Sequence, residues 1–392
     1  MKRIIKLEDL IFNENFKKNF FTNNFGKKYI YNQGLVKNSQ SIMSLDILNE
    51  ELSNKSYWNN KNFIMMLDKK HINYSEYSSS SHETSGYFFR PDIDKVQNWI
   101  SRGASIILNE IERLNSRLIN ISSQLQNLTK GRCQGNLYFS MESHQAFGPH
   151  CDEHDVFAIH FEGEKIWNIY ENIEKDPINH PIFKWDSEER TRRAGKLIDQ
   201  VTLKPGDLLY LPRGQYHDAL ASKNGAVHIA FGLTYFKPID LISNIWDKFI
   251  LNDFMRKDIN QNANVEDLKL TLIELSKEIE NILISEETNK IAHESLKYWS
   301  YKINNYSLQN IITEGRKYKV SKSVRVERNS QGAFLISGKD KVKIPELYSD
   351  ITDFILKQEL VTSNLVSSHF KKINIKIISD CITKLNDMKV IT

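Results

Sequence analysis

Two short stretches hold side chains able to do chemistry together. The first is Gly148-Pro149-His150-Cys151-Asp152; the second is Pro212-Arg213-Gly214-Gln215-Tyr216-His217. Successive side chains of a strand face opposite ways, so His150 and Asp152 project from one face while Cys151 turns away. His217 lies near the end of the apolar run Leu208-Leu209-Tyr210-Leu211, which reads as another buried strand of the same sheet. Two imidazoles and one carboxylate form the facial set that leaves three adjacent positions open on non-haem Fe(II). The spacing therefore predicts an iron site that acts on dioxygen.

A sheet must carry these residues, and the text from Gly135 to Tyr235 supplies one. Short aromatic and aliphatic runs occur at 136–139, 156–161, 166–170, 208–211 and 227–231. Glu162-Gly163-Glu164 reads as a hairpin turn between two of them, and Lys204-Pro205-Gly206-Asp207 as a Pro-Gly turn opening the fourth. Many short strands with such punctuation predict a β-sandwich or jelly-roll barrel. A charged insert, roughly 171–199, interrupts the strands and is expected at the rim with Arg190, Arg192 and Arg193. Upstream, Ala104–Leu108 predicts a strand. Ile111, Leu114, Leu118, Ile121, Leu125 and Leu128 then recur at gaps of three and four, giving one apolar helix face. The first 90 or so residues read as short helices and strands packed outside that core, with Ser78–Ser81 as a surface loop.

Beyond Pro238 the pattern turns helical. Leu268, Leu272, Leu275, Ile279 and Ile282 keep a period near 3.5, so this seam needs a partner helix from the same chain or a second copy. The last section pairs strand-like Val324–Val326 and Ala333–Ile336, with turns at 329–332 and 338–340, and a helix from Glu346 to Leu360. Its order of elements is winged-helix-like; balanced charge favours packing over nucleic-acid binding.

The whole chain of 392 residues carries 53 basic and 49 acidic side chains, a net charge of +4. That balance permits an acidic partner without requiring one. Cys133, Cys151 and Cys381 are too dispersed for a paired motif, predicting reduced thiols and a cytoplasmic protein. The opening residues show no signal-peptide pattern and no apolar run is long enough to span a membrane.

Taken together, Asn136-Leu137-Tyr138, the 147–157 stretch, Glu162-Gly163-Glu164-Lys165-Ile166-Trp167 and the 205–217 stretch closely resemble the Jumonji-C ribosomal oxygenases, cupin-like protein hydroxylases. The resemblance is dense from about Gly103 to Tyr235. It implies an α+β chain with a catalytic jelly roll (1–240), a helical dimerisation region (241–317) and a winged-helix-like C-terminal domain (318–392). It also implies Fe(II) and 2-oxoglutarate, hydroxylation of arginine or histidine in a protein or peptide substrate such as a ribosomal protein, and a homodimer. Residue by residue, His150, Asp152 and His217 fall on the iron-ligand positions and Lys165 on the residue for the distal carboxylate of 2-oxoglutarate. A dicarboxylate held at one end by metal needs a cation at the other, in a dry barrel where a charge pair is strong. Asn136 matches a position that assists the co-substrate, and Tyr138 shares its face. His160 stands where relatives commonly carry Gln. Among His144, His154 and His228, the last is the best further candidate, because the final barrel strand could aim it inward. The competing expectations are a cupin-type oxygenase of a small molecule or peptide natural product, and a non-catalytic dimeric scaffold with a nucleic-acid-binding winged helix.

Overall fold

The structure, a computed structural model, describes residues 14–54, 56–141, 147–299, 316–337 and 340–392. His144, the opening residues of the chain and the Gly338-Lys339 turn lie outside the described residues. The chain forms two compact units, Met1–Asn304 and Asn305–Thr392.

In the first unit one antiparallel sheet contains β1 (Ile30–Asn32), β2 (Phe63–Leu67), β3 (Lys70–His71), β6 (Ser105–Leu108), β7 (Arg132–Ser140), β8 (Asp155–Ile173), β9 (Leu197–Leu203), β10 (Leu208–Leu211) and β11 (Gln215–Thr234). Their order is β1-β10-β8-β11-β7-β6-β2-β3, with β9 on the far half of β8. A separate hairpin joins β4 (Ser78–Glu83) to β5 (Gly86–Pro91). This is the jelly-roll expected from the sequence, with three corrections.

The expected hairpin turn at Glu162-Gly163-Glu164 is a bulge inside one continuous strand. β8 and β11 stay paired on both sides of it, while residues 222–225 of β11 bulge out between the pairs Ala221–Lys165 and Ala226–Gly163. Gly163 has φ +66°, and a Cβ there would stand 2.0 Å from the Gly225 carbonyl oxygen, so a side chain is excluded. The second correction concerns residues before 90, which are not outside the core. β1 and β2 are strands of the main sheet, and Phe20, Trp58, Phe63 and Met65 are buried with it. Finally, the serine run at 78–81 is a strand, not a loop; pairing with β5 overrides its weak β-propensity.

The strand period separates two apolar layers. Leu137, Phe157, Ile159, Ile229 and Phe231 face the larger core, beneath the Ser116–Thr129 helix and the N-terminal elements. Val156, Ala158, Trp167, Ile169, Leu209 and Leu211 face the smaller one inside the roll. The predicted long helix from Ile111 divides into a short turn, Ile111–Arg113, and the Ser116–Thr129 helix. Asn115 caps the latter by accepting from Arg117 and Leu118 N–H at 3.1 Å. Its apolar face survives the division, with Ile111, Leu118, Ile121 and Leu125 fully buried.

The Pro-Gly turn forms as predicted: Gly206 has φ +92° and Asp207 N–H donates to Lys204 C=O at 2.9 Å. Asp207 then accepts from Tyr31 Oη, Gly34 N–H and Lys204 N–H at 2.8, 2.7 and 2.9 Å, tying the N-terminal segment to the roll. Past Pro238, the Val265–Ile284 helix packs on the Trp246–Leu251 and Glu286–Trp299 helices. Trp299 Nε1 donates to Thr234 C=O at 3.0 Å, returning the last helix to the end of β11.

The second unit is α+β. Strands Val324–Asn329, Gly332–Ser337 and Asp340–Ile344 form one small sheet, and Lys317–Lys319 pairs with Leu360–Thr362. The Glu346–Leu356, Ser363–His369 and Ile375–Asp387 helices bury Ile351, Ile355, Val366, Ile378 and Leu385 in a core of their own. The first of these helices ends before Leu360, which opens a strand instead.

Candidate metal centre

β7, β8 and β11 turn one face toward a cavity of about 400 Å³. Asn136 and Tyr138 reach it from β7, Lys165 and Trp167 from β8, and His217 and His228 from β11. The β7 and β8 pairs are two residues apart, as one face of a strand requires, whereas His217 and His228 are separated by the register shifts of β11, which return the later half of the strand to the same cavity.

His150 and Asp152 enter from a segment that is extended but not a strand. Only His150 pairs, through a bridge to His217 with N–H to C=O distances of 3.0 and 2.8 Å. Cross-strand partners emerge side by side, which sets the two ring centroids 4.5 Å apart. Asp152 is held by its own carbonyl, which accepts from Gly214 N–H at 2.9 Å. Buried Asp155 secures the same junction: its carboxylate accepts from Arg213 N–H at 2.8 Å, Tyr210 Oη at 3.1 Å and Tyr235 Oη at 3.2 Å. Gly214, at φ +84°, has no room for a side chain, since a Cβ would fall 2.0 Å from Glu174 C=O. Gly214→Ala is expected to destabilise the protein by roughly 2–4 kcal/mol, because the strained backbone must shift. Chemical denaturation would measure that loss, and metal affinity should fall with it.

One ligand atom from each of His150, Asp152 and His217 lies within 4.8 Å of the others. Their hydrogen bonds suit a metal. His150 Nδ1 lies 2.9 Å from Gly148 C=O and His217 Nδ1 lies 2.9 Å from Gln215 C=O. A carbonyl only accepts, so both Nδ1 atoms carry the proton and both Nε2 lone pairs point free. Burial, with the His150 charge second, pushes His217 down to about 4, leaving a neutral ring at neutral pH. Burial alone would raise Asp152, but His154, His150 and His217 outweigh it and hold the carboxyl below its ordinary range. Two imidazoles and a carboxylate are a donor set for a divalent first-row metal.

Lys165 lies deep in the same cavity. Its Nζ donates to Ser140 Oγ at 3.0 Å and stands 5.9 Å from the Tyr138 ring. No carboxylate pairs with it among the described residues, and burial pushes the ammonium down to about 7. Tyr138 and His228 stack at 4.7 Å, with His160 parallel behind at 6.4 Å. His228 is held well below its usual value by burial and then by Lys165. Trp167 Nε1 and His228 Nδ1 are buried without a partner among the described residues, so the cavity offers polar atoms to an occupant.

All seven residues singled out from the sequence thus line one cavity. His154 lines it too, its ring seated over Gly232, where a Cβ would meet it at 2.9 Å. His160 does not; its Nε2 hydrogen-bonds Gly163 C=O at 3.0 Å inside the core. Sequence reasoning missed Ser140, the roles of Trp167 and Phe147, and Phe183 and Trp185 from the insert. Arg190 lines the cavity mouth, whereas Arg192 and Arg193 pair with Glu189 and Arg193 also with Glu174.

Comparison with known proteins gives a consistent picture. Residues 108–241 match the family model of the JmjC domain. The bifunctional lysine-specific demethylase and histidyl-hydroxylase NO66 of Dictyostelium discoideum is 28% identical over 59% of this chain, and the match spans 42% of that protein. Ribosomal oxygenase 2 of Bos taurus is 30% identical over 40% of this chain, spanning 31% of its own length. The matched part thus covers less than half of either relative. Among solved structures, YcfD of Escherichia coli, a ribosomal oxygenase in complex with cobalt and 2-oxoglutarate, is similar over 98% of this chain and 99% of its own, with TM-score 0.53 and 16% identity. The metal-ligand geometry and the matched sequence meet in the same strands, and residues 108–241 of this chain are a JmjC domain.

Proposed function

We propose that this protein is an Fe(II)- and 2-oxoglutarate-dependent dioxygenase that hydroxylates an arginine or histidine side chain of a ribosomal protein. The observation that carries the reading is a preset ligand set and, in the same cavity, a buried ammonium with no carboxylate partner among the described residues. His150 and His217 would hold the metal through Nε2 and Asp152 through a carboxylate oxygen. Bound there, ferrous iron supplies the oxidation that couples dioxygen and 2-oxoglutarate to a hydroxylated side chain, succinate and carbon dioxide. Lys165, oriented by Ser140, neutralises the far carboxylate of the co-substrate, an attraction strengthened by burial. Asn136 and Tyr138 line the same cavity from β7. Trp167, whose ring lies 5.7 Å from His217 and 5.3 Å from His228, shields the ligand side from water.

The test is incubation with iron, ascorbate and 2-oxoglutarate, following succinate, and then a mass gain of one oxygen atom on candidate ribosomal proteins. No succinate would overturn the reading; succinate without modification of any ribosomal protein would remove the substrate assignment alone.

The same reading makes the protein a cytosolic homodimer, supported by three free thiols and by the Val265–Ile284 helix. Ile279 and Ile282 are half-buried against neighbouring helices, but Leu268 and Leu272 are 40% and 63% exposed, so the seam is covered along only part of its length. A second copy would cover the rest. Leu268→Lys with Leu272→Lys is expected to shift the protein from dimer to monomer in analytical ultracentrifugation. In the second unit, a winged-helix-like packing role is favoured over nucleic-acid binding. Lys341 pairs with Glu327 at 3.2 Å, and Arg328 pairs with Asp350 at 2.9 Å and Asp353 at 2.5 Å.

A further inference from the structure

The mouth of the cavity holds a second cation that the co-substrate does not need. Arg190 sits on the Ser187–Ala194 helix and lines the cavity beside Phe183, Lys184 and Trp185. The insert around it is braced. Asp186 caps the helix by accepting from Glu189 N–H at 2.9 Å, and Glu189 takes both Arg192 at 2.6 Å and Arg193 at 2.8 Å. Arg193 also reaches Glu174 at 3.0 Å and lies over the Trp185 ring at 4.0 Å. Arg190 alone of these three makes no hydrogen bond or ion pair through its side chain among the described residues. Its Nε is buried with no partner among the described residues. A buried donor without an acceptor costs free energy that a ligand can recover. The guanidinium is a flat fork that matches a carboxylate through two parallel N–H donors.

The two cations divide the cavity. Lys165, deep on β8, is 5% exposed, whereas Arg190 belongs to the insert that borders the opening. We propose that Arg190 binds a carboxylate carried by the substrate next to the side chain to be hydroxylated, so that the protein selects chain segments with an acidic residue flanking the target. This inference rests on the oxygenase reading and adds to it a rule for the sequence around the target.

The test uses the full chain loaded with Co(II) and 2-oxoglutarate, which fills the deep end without turnover. Two probes, Ac-Gly-Glu-Arg-Glu-Gly-amide and its counterpart with Gln for both Glu, are titrated by calorimetry against the protein, Arg190→Gln and Arg190→Glu. N-acetylglutamate serves as a third probe for a small free acid. The acidic peptide is expected to bind about tenfold or more tighter than the Gln peptide, as a charge-assisted bidentate contact predicts. Arg190→Gln should bring that ratio close to one, and Arg190→Glu should invert it. Equal binding of the two peptides, no binding of either, or a preference that survives Arg190→Gln overturns the proposal. N-acetylglutamate binding as tightly as the acidic peptide, and lost in Arg190→Gln, keeps the carboxylate site but removes the flanking-residue rule. If the peptide preference holds while iron and 2-oxoglutarate yield no succinate, the oxygenase reading falls and the carboxylate site stands.

Discussion

Asp152→Ala is expected to leave a folded protein that no longer binds a divalent metal or forms succinate. The backbone contact that places residue 152, its carbonyl accepting from Gly214 N–H, does not depend on the side chain. The remaining pair, His150 and His217, keeps its ring orientation but loses the only anionic donor of the set. Loss of a mere supporting contact around a metal ligand weakens binding by about 10–100-fold, so loss of the carboxylate itself should exceed ~100-fold. Titration with Co(II), followed by its visible absorption and by the rise in melting temperature that bound metal produces, measures this. Affinity retained within a factor of a few would contradict the assignment of Asp152.

Lys165→Met is expected to raise thermal stability at neutral pH while removing 2-oxoglutarate-dependent turnover. Among the described residues the buried ammonium has Ser140 as its hydrogen-bond partner and no carboxylate, an arrangement that burial opposes. The direction with pH follows from linkage. The folded-state value of about 7 lies below the ordinary lysine value, so between the two the unfolded chain binds more protons. The penalty is therefore complete below about pH 7 and fades as pH rises toward the ordinary value near 10. Methionine should gain roughly 1–3 kcal/mol at pH 7 and progressively less at higher pH, as melting curves across that range would show. In the unaltered protein, a dicarboxylate that pairs with Lys165 favours its charged form. Co-substrate binding above pH 7 should then take up a proton, measurable by calorimetry in buffers of different ionisation enthalpy. A Lys165→Met variant that is both less stable and fully active would contradict the role given to this residue.

The metal ligands are legible in the linear text because each depends on spacing within a few residues. His150 and Asp152 are two apart in an extended segment, and His217 follows a strand and a tight turn. Lys165 is legible through the family resemblance of the Glu162-Gly163-Glu164-Lys165-Ile166-Trp167 stretch rather than through spacing. What escapes such reading depends on partners distant in the chain. Gly163 looks the same in a hairpin turn and in a bulge, and only the facing Gly225 decides between them. Ser78–Ser81 has no apolar alternation and becomes a strand because β5 lies beside it. Ser140 supports Lys165 across a separation of 25 residues, which no local pattern announces. Arg190, Arg192 and Arg193 look alike as a basic run, and acids elsewhere decide which of them stays free.

The kink shared by β8 and β11 has one more effect. It lies between the strand halves that carry His217 and those that carry His228, and Lys165 follows it directly on β8. The bulge thereby fixes the backbone positions of His217 and Lys165 relative to each other, and under the proposed function those positions gauge the length of the dicarboxylate held between them. Oxaloacetate and 2-oxoadipate, one carbon shorter and longer than 2-oxoglutarate, should both fit this gauge poorly.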